Sequence, residues 1–344
     1  MAKRITIYDI AQKLGISTTT VYRALNEKPK VSMDTRNAVL ETAREMGFKP
    51  NTLARSLARK KIKLAVIAFT SFPEFHKSFL NGARDAHNEL EDYNIQVEYF
   101  SYEDGDSNSP AGDAYLFKQL EHIENGGYDG LLVCAKETEQ FRELTENGIY
   151  VATAINDISE DFRKFCIRYN GRVAGQMAAE LLWMNMDRSK KVAIASGLEG
   201  QGIHAETEEG FLKQLTITPL KLAEIYYNFD NVQYAYSETN AILDKYPDLG
   251  GIYVNSFNSS GVLKSVEERG LGGRITIVTS DIYDELRRYI ERGVVTASIF
   301  QDQYTQGKMG LKMLYQSIAE DLEVKDTTLI NPQIILRSNM KLYK

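Results

Sequence analysis

Apolar residues in the first fifty positions recur at helical spacing, whereas beyond residue 61 they gather into short runs separated by longer amphipathic stretches. Ile7, Ile10, Ala11 and Leu14 lie one turn apart, with Thr6 placed to cap and Asp9 three residues on, and Gly15 ends that helix. Ser17 caps a second helix whose inward stripe is Val21, Ala24 and Leu25, running to Asn26. A third starts at Ser32, turns Val39, Leu40, Ala43 and Met46 inward, and stops at Gly47. Two short helices joined by a tight glycine turn predict a helix-turn-helix. The later runs read as strands: residues 64–69, 95–100, 130–134, 149–155, 191–195, 251–254, 275–280 and 295–300. Their alternation with helical stretches predicts βαβ units with parallel sheets covered on both faces. Eight strands exceed one modest sheet, so two α/β lobes with a cleft between them are expected.

Charge divides the chain at the same place. Residues 1–61 carry 13 Lys/Arg against 5 Asp/Glu, and the remainder 28 against 42. A basic head is drawn to nucleic acid and an acidic body is repelled by it. The head's helical periodicity and caps exclude a basic disordered tail. An apolar fraction of 43% is ample for sizeable cores. No apolar run is long enough for a membrane span and the N-terminus lacks a signal-peptide pattern, so a cytoplasmic, nucleoid-associated protein is expected. Cys134 and Cys166 sit in apolar or aromatic runs and read as buried thiols.

In a helix-turn-helix the second helix enters the major groove. Thr18 and Thr19 on its first turn then face base edges, and Arg23 one turn on can fork onto guanine O6 and N7. Ser17, with the free N–H groups of the helix start, suits a phosphate. Pro50-Asn51 breaks the chain and lets Asn51 cap a further short helix carrying Leu53, Ala54, Leu57 and Ala58 on one face, flanked by Arg55, Arg59, Lys60 and Lys61. So short a helix is marginal in water, and ordering it calls for DNA and a second copy. The expected organisation is a head at 1–50, a hinge helix or linker at 51–61 and a two-lobed body at 62–344.

The string from Thr6 to Lys61 resembles the DNA-binding head of the lactose/galactose repressor family. The matching pieces are Asp9–Ala11, Gly15–Ser17, Thr20-Val21, Arg23–Leu25, Thr35-Arg36, Gly47–Asn51, Ala54, Arg55 and Leu57. The resemblance places Thr18, Thr19 and Arg23 at base-reading positions and Leu57 where paired hinge helices wedge into the minor groove. It implies a homodimer on palindromic operator DNA. Tyr22 departs from the family's usual serine, so a phosphate contact there is remodelled. No heptad-bearing segment follows the last strand, so a coiled-coil tetramer is not expected.

Residues 62–336 resemble the sugar-binding periplasmic proteins that serve that family as effector domains, through Gly82-Ala83, Gly126–Val133, Asn170–Gly175 and Ile299–Gly310. The resemblance implies two lobes joined by three crossings, placed near 157–165, 282–292 and 320–328. It puts Phe75 and His76 where aromatic side chains stack on a sugar, although a core role for Phe75 is equally a physical reading. Asp281 falls where a carboxylate accepts sugar hydroxyls, Gln301 where an amide bonds ligand and hinge, and Asn170 replaces a frequent aspartate. Thr207 stands where a clamping arginine is usual, and Ile155-Asn156 where an aspartate is. Losing a bidentate guanidinium removes a strong orienting donor and points away from a simple pentose or hexose, and the 20 Tyr and 14 Phe permit a larger or modified saccharide.

No GxGxxG follows the first strand, and no GxxxxGK[ST], HExxH, CxxC or GxSxG occurs. The four histidines (76, 87, 122 and 204) have no metal-ligand spacing. Neither cofactor nor metal is expected. The reading is a DNA-binding transcriptional regulator, a repressor controlled by a carbohydrate-like effector. An enzyme fused to a DNA-binding head and a constitutive DNA binder with a vestigial body are the alternatives, which ligand-linked thermal stabilisation separates from an effector switch.

Overall fold

The computed structural model describes residues 5–25, 29–48, 61–69, 73–102, 107, 109–200, 202–257 and 259–343. The hinge expected at 51–61, with Asn51, Ala54, Arg55 and Leu57, falls outside them apart from Lys61. The fold divides between Lys60 and Lys61 into two compact units.

The first unit holds α1 (Ile7–Leu14), α2 (Thr18–Leu25) and α3 (Met33–Glu45). The Asp9 carboxylate accepts from the Thr6 backbone N–H at 2.7 Å and its hydroxyl at 2.6 Å, so a negative charge sits at the start of α1. Gly15 takes φ of 66°, the left-handed conformation that ends a helix and that a side chain resists. Ser17 and Ser32 each accept the backbone N–H three residues on, at 3.1 and 3.2 Å. Ile10, Ala11, Val21, Ala24, Val39 and Ala43 form the core. Leu40, expected inside, is largely exposed, and Thr42 is buried instead. The inward stripe of α3 therefore runs through 39, 42, 43 and 46 rather than through 40.

The second unit has two lobes, each with a doubly wound sheet. The first lobe's sheet contains β1 (Ile62–Ala68), β2 (Ile95–Ser101), β3 (Gly130–Cys134), β4 (Tyr150–Ala154), β5 (Phe165–Tyr169) and β11 (Thr327–Ile330), in the order β11-β5-β4-β3-β1-β2, all parallel. The second contains β6 (Lys191–Ser196), β7 (Lys221–Tyr227), β8 (Leu249–Val254), β9 (Thr276–Ser280), β10 (Ala297–Phe300) and β12 (Gln333–Ile335), ordered β12-β10-β9-β8-β6-β7. Only β12 runs antiparallel there. Strands β5, β7, β11 and β12 were not anticipated. The polar residues interrupting KLAEIYY and TTLI mark edge or near-edge strands, whose apolar signal is weaker than that of strands buried on both faces.

Helices cover both faces. In the first lobe α4 (Pro73–Glu89) and α12 (Gln303–Glu320) lie on one side, and α5 (Pro110–Asn125) and α6 (Gln140–Glu146) pack on Ala65, Ile67, Leu131, Val133 and Val151. In the second, α7 (Gly171–Asn185) and α8 (Gly202–Leu215) cover Val192, Ile194, Tyr253 and Val278. The other side of that sheet carries α9 (Val232–Lys245), α10 (Ser260–Glu268) and α11 (Asp284–Glu291). Glycines bring the first helix pair of each lobe close: a Cβ on Gly82 would sit 1.9 Å from the Tyr304 carbonyl oxygen, and one on Gly175 1.9 Å from that of Thr207.

The chain crosses between lobes after β5, after β10 and between β11 and β12, at about residues 170, 301 and 331. The expected crossings lay about ten residues too early in each case. The cause is that β5 and β11 return to the first sheet before the chain leaves it, and β10 extends the second sheet. This shift puts Asn170 and Gln301 on the crossings themselves.

Candidate functional site

In the first unit, α2 turns Val21 and Ala24 fully inward, so Thr19 and Tyr22 are exposed and Thr18 and Arg23 half-buried on its other side. The Ser17 hydroxyl receives the Thr20 N–H and lies 2.9 Å from the Thr20 hydroxyl. It therefore caps the helix while the free N–H groups around it remain an anion-binding start. Side chains 18, 19, 22 and 23 share the outward surface because residues three and four apart are neighbours on a helix.

In the second unit, the polar side chains singled out by sequence converge on strand ends facing the cleft, where doubly wound sheets bind ligands. Asn170, Asp281 and Gln301 each directly follow a strand: β5, β9 and β10. Asp281 adopts φ of 64°, and its fully buried carboxylate gathers three amide donors. The Gln301 Nε2 donates at 2.6 Å, the Gln301 backbone N–H at 3.2 Å and the Gln303 Nε2 at 2.8 Å. Gln306 in turn donates to the Gln301 carbonyl at 2.8 Å, tying the start of α12 to the crossing. Burial dominates these hydrogen bonds and pushes the Asp281 carboxyl up to about 7.

Thr207 is fully buried. Its hydroxyl donates to the His204 carbonyl at 2.8 Å and accepts from Asn255 Nδ2 at 3.0 Å. Where a longer cation would reach outward, this side chain fixes Asn255, a residue the sequence reading missed. The available signal was positional: Asn255 directly follows β8, as Asp281 and Gln301 follow the next two strands.

On the first lobe, Phe75 and His76 occupy the first turn of α4, His76 buried and Phe75 half-buried. The Phe75 ring meets Phe257 of the second lobe edge-on, at 5.6 Å between centroids and 81° between planes. Phe257 continues to Tyr283 at 4.8 Å, whose hydroxyl lies 2.7 Å from that of Ser259. This aromatic row bridges the lobes, and neither Phe257 nor Tyr283 was anticipated. Asn156 follows Ile155, which holds φ of 72°, a costly conformation for a β-branched residue. Asn170 caps α7 by accepting the Val173 N–H at 3.2 Å.

A chain of ion pairs in the first lobe reaches the second through one bridge beside the first crossing. Arg163 is almost completely buried and bonds Asp157 at 2.5 Å and Asp326 at 2.8 Å. Arg168 of β5 reaches Glu206 of α8 at 2.6 Å, and Asp157 lies 3.8 Å from it. A change of lobe angle has to rearrange the Arg168–Glu206 bridge.

No group of His, Cys, Asp and Glu able to hold a metal ion occurs among the described residues, and no described helix is long and apolar enough to cross a membrane. Cys134 and Cys166 are buried, and desolvation pushes both thiols up to about 12, leaving them unreactive.

Residues 64–321 match the periplasmic binding protein domain family, and residues 6–51 match the lacI family of bacterial regulatory proteins. Catabolite control protein A of Priestia megaterium is 25% identical over 326 residues, covering 90% of this chain and 91% of the relative. The HTH-type transcriptional repressor PurR of Pasteurella multocida is 23% identical over 343 residues, covering 98% of each. Among solved structures, the glucose-galactose binding protein GanP of Geobacillus stearothermophilus superposes with a TM-score of 0.72 at 21% identity, over 82% of this chain and 99% of that one. A solute binding protein of Agrobacterium vitis bound with alpha-D-tagatopyranose gives 0.72 at 20% identity, over 81% and 96%. A helix-turn-helix head and a two-lobed periplasmic-binding-protein body on one chain, matched along almost its whole length by bacterial repressors, lead to one assignment: the chain belongs to the LacI family of transcriptional regulators.

Proposed function

We propose that the protein is a repressor whose paired heads read a palindromic operator in the cytoplasm, and whose interlobe cleft binds a sugar or sugar derivative that sets DNA affinity. The observation that carries this reading is the row of polar residues on the strand ends of the second lobe, anchored on Asp281 and Gln301. It faces an aromatic row suited to the apolar face of a sugar ring. In this reading Asp281, Gln301, Asn156 and Asn170 bond hydroxyls, Phe75 stacks, His76 packs behind it, and Thr207 acts through Asn255. Solved relatives of the body are described as bound with D-arabinose, D-fucose and D-allose, which supports the same ligand class.

On DNA, Thr18, Thr19 and Arg23 read base edges, and Ser17 and Tyr22 contact phosphates. Asn51, Ala54, Arg55 and Leu57 belong to a hinge that folds in the minor groove, with Leu57 as its wedge. A single helix-turn-helix reads few base pairs, so two copies are needed for specificity. Sedimentation of the DNA-free protein at micromolar concentration should give a dimer, and a monomer alone would refute this.

The reading is tested by selecting duplexes from a random pool with the full-length protein. Arg23→Ala should weaken binding to the selected duplex by about 1–3 kcal/mol and to random DNA much less, at one fixed salt concentration. Equal losses on both would make Arg23 a phosphate contact. A sugar that binds the body should shift the affinity for the selected duplex. Binding without any such shift would leave a constitutive DNA binder.

A further inference from the structure

The segments that follow the five parallel strands of the second lobe carry no cation, and Arg172, just past the first crossing, is already paired with Glu206 and Glu209. Residues 196–212, 228–244, 255–263, 281–286 and 301–307, which carry the chain from each strand end into the next helix, contain no lysine or arginine. The same segments place Glu199, Glu206, Glu208, Asp230, Asp281 and Asp302 at or next to the rim. Only Glu206 among them is paired with arginines, at 2.6 Å from Arg168 and 3.4 Å from Arg172. Glu199 is exposed, and Asp302 accepts from the Thr305 N–H and Gln333 Nε2, both neutral. Asp281 is held by glutamine amides, and Glu208 by the hydroxyls of Ser196 and, at 3.3 Å, Tyr227. Asp230 lies beside His204, whose Nδ1 accepts the Leu198 N–H at 3.2 Å. Burial holds that imidazole below its ordinary pKa, so it brings no charge at neutral pH.

On the first lobe, three cations are already committed. Lys136 pairs with Asp113, Arg163 with Asp157 and Asp326, and Arg168 with Glu206. Carboxylates withdrawn from water without a countercharge are costly, and neutral donors recover only part of the lost hydration. A second, independent observation points the same way. Asn255 and Gln301 are 2% and 6% exposed, and the Oδ1 of one and the Oε1 of the other have no hydrogen-bond partner among the described residues. Both are acceptors. A buried acceptor left unmatched asks for a donor, which a hydroxyl or an ammonium supplies and a carboxylate or phosphate group does not.

We propose that the effector is an amine-bearing saccharide whose ammonium group lies against the acidic rim of the second lobe. This rests on the reading of the cleft as an effector site, and deepens it by naming the charge the ligand carries. An ammonium presents three donors and no acceptor, which suits Asn255 Oδ1, Gln301 Oε1 and the carboxylates together. Its positive charge also suits the faces of the aromatic row formed by Phe75, Phe257 and Tyr283. The absence of a guanidinium at Thr207 fits the same chemistry: an arginine there would repel the ammonium that the rim attracts. Phosphorylated sugars and uronates are excluded by the same charges.

The test is calorimetry on the full-length protein at pH 7 with nine matched sugars. These are D-glucose, D-galactose and D-mannose, each with its 2-amino-2-deoxy sugar and its uronate. At least one amino sugar should bind tenfold or more tighter than both its parent and its uronate. Glu208→Gln should cut that preference several-fold, and circular dichroism checks that the variant is folded. A parent sugar or uronate binding as tightly as its amine overturns the inference while leaving the effector reading in place. An undiminished preference in a folded Glu208→Gln together with Asp230→Asn overturns the assignment to this rim. If none of the nine binds at 10 mM, on the order of the weakest affinity worth assigning, the inference is overturned while the effector reading stands for larger saccharides.

Discussion

Gly175→Ala should destabilise the body by about 3 kcal/mol, at the upper end of what overpacking a core costs. The added Cβ would lie 1.9 Å from the Thr207 carbonyl oxygen and 2.7 Å from the Phe211 backbone nitrogen. Both are main-chain atoms of α8, so no side chain can swing away. The reciprocal position is as tight: a Cβ on Gly210 would sit 2.0 Å from the Arg172 carbonyl oxygen. The pair α7–α8 can admit the methyl only by separating, which opens the contacts of Phe211 with Tyr253, stacked at 5.6 Å. Separation also displaces Thr207, and with it the side chain of Asn255. Urea unfolding should show the loss, and sugar affinity should fall with it. A variant as stable as the parent would mean that the helices slide apart freely, and the link from α8 to the cleft would fail.

Those glycines explain why part of this architecture could be read from the chain. Gly82, Gly175 and Gly307 fall in the strings that carry the resemblance of the body, and each marks a backbone approached too closely for any side chain. The head was legible for a related reason: caps at Ser17 and Ser32, the turn at Gly15 and the inward stripe are local, and local rules decide short helices. Central strands such as Gly130–Cys134, buried along their whole length, announced themselves as apolar runs. The edge strands β7, β11 and β12 did not, although the edge strand β2 did, and the crossings were misplaced because they depend on β5 and β11. The site was half legible. Asp281 and Gln301 were found by position after a strand, yet their bond to each other is a tertiary fact. So are the Phe75–Phe257 contact and the Arg168–Glu206 bridge, between residues 182 and 38 positions apart in sequence.

The clearest sign that function shapes the cleft is a group that works against stability. Asp281 is buried with no ion pair among the described residues, and burial raises the neighbouring Tyr169 and Tyr253, to which its charge adds. In the unfolded chain an aspartate titrates near 4, whereas here it does so at about 7. Below pH 4 both states are protonated and the residue is indifferent. Between pH 4 and 7 the unfolded chain gives up its proton while the native fold retains it, so stability falls as pH rises. Above pH 7 the penalty is full, on the order of 4 kcal/mol for three pKa units. Asp281→Asn removes the ionisation. Its new amide nitrogen would face donors, but the Gln301 amide can turn its unpaired Oε1 towards it, at a cost of about 1 kcal/mol in rearranged hydrogen bonds. The variant should therefore be about 3 kcal/mol more stable than the parent at pH 8, and only about 0.5 kcal/mol more stable at pH 5. Urea unfolding of both proteins at the two pH values isolates this residue, because all other titrations cancel in the difference. A difference that is the same at both would mean that Asp281 ionises as an ordinary carboxyl. The variant's gain in stability should come with at least a tenfold loss of affinity for the sugar that binds the parent protein, since a carboxylate kept at such cost is retained for what it binds.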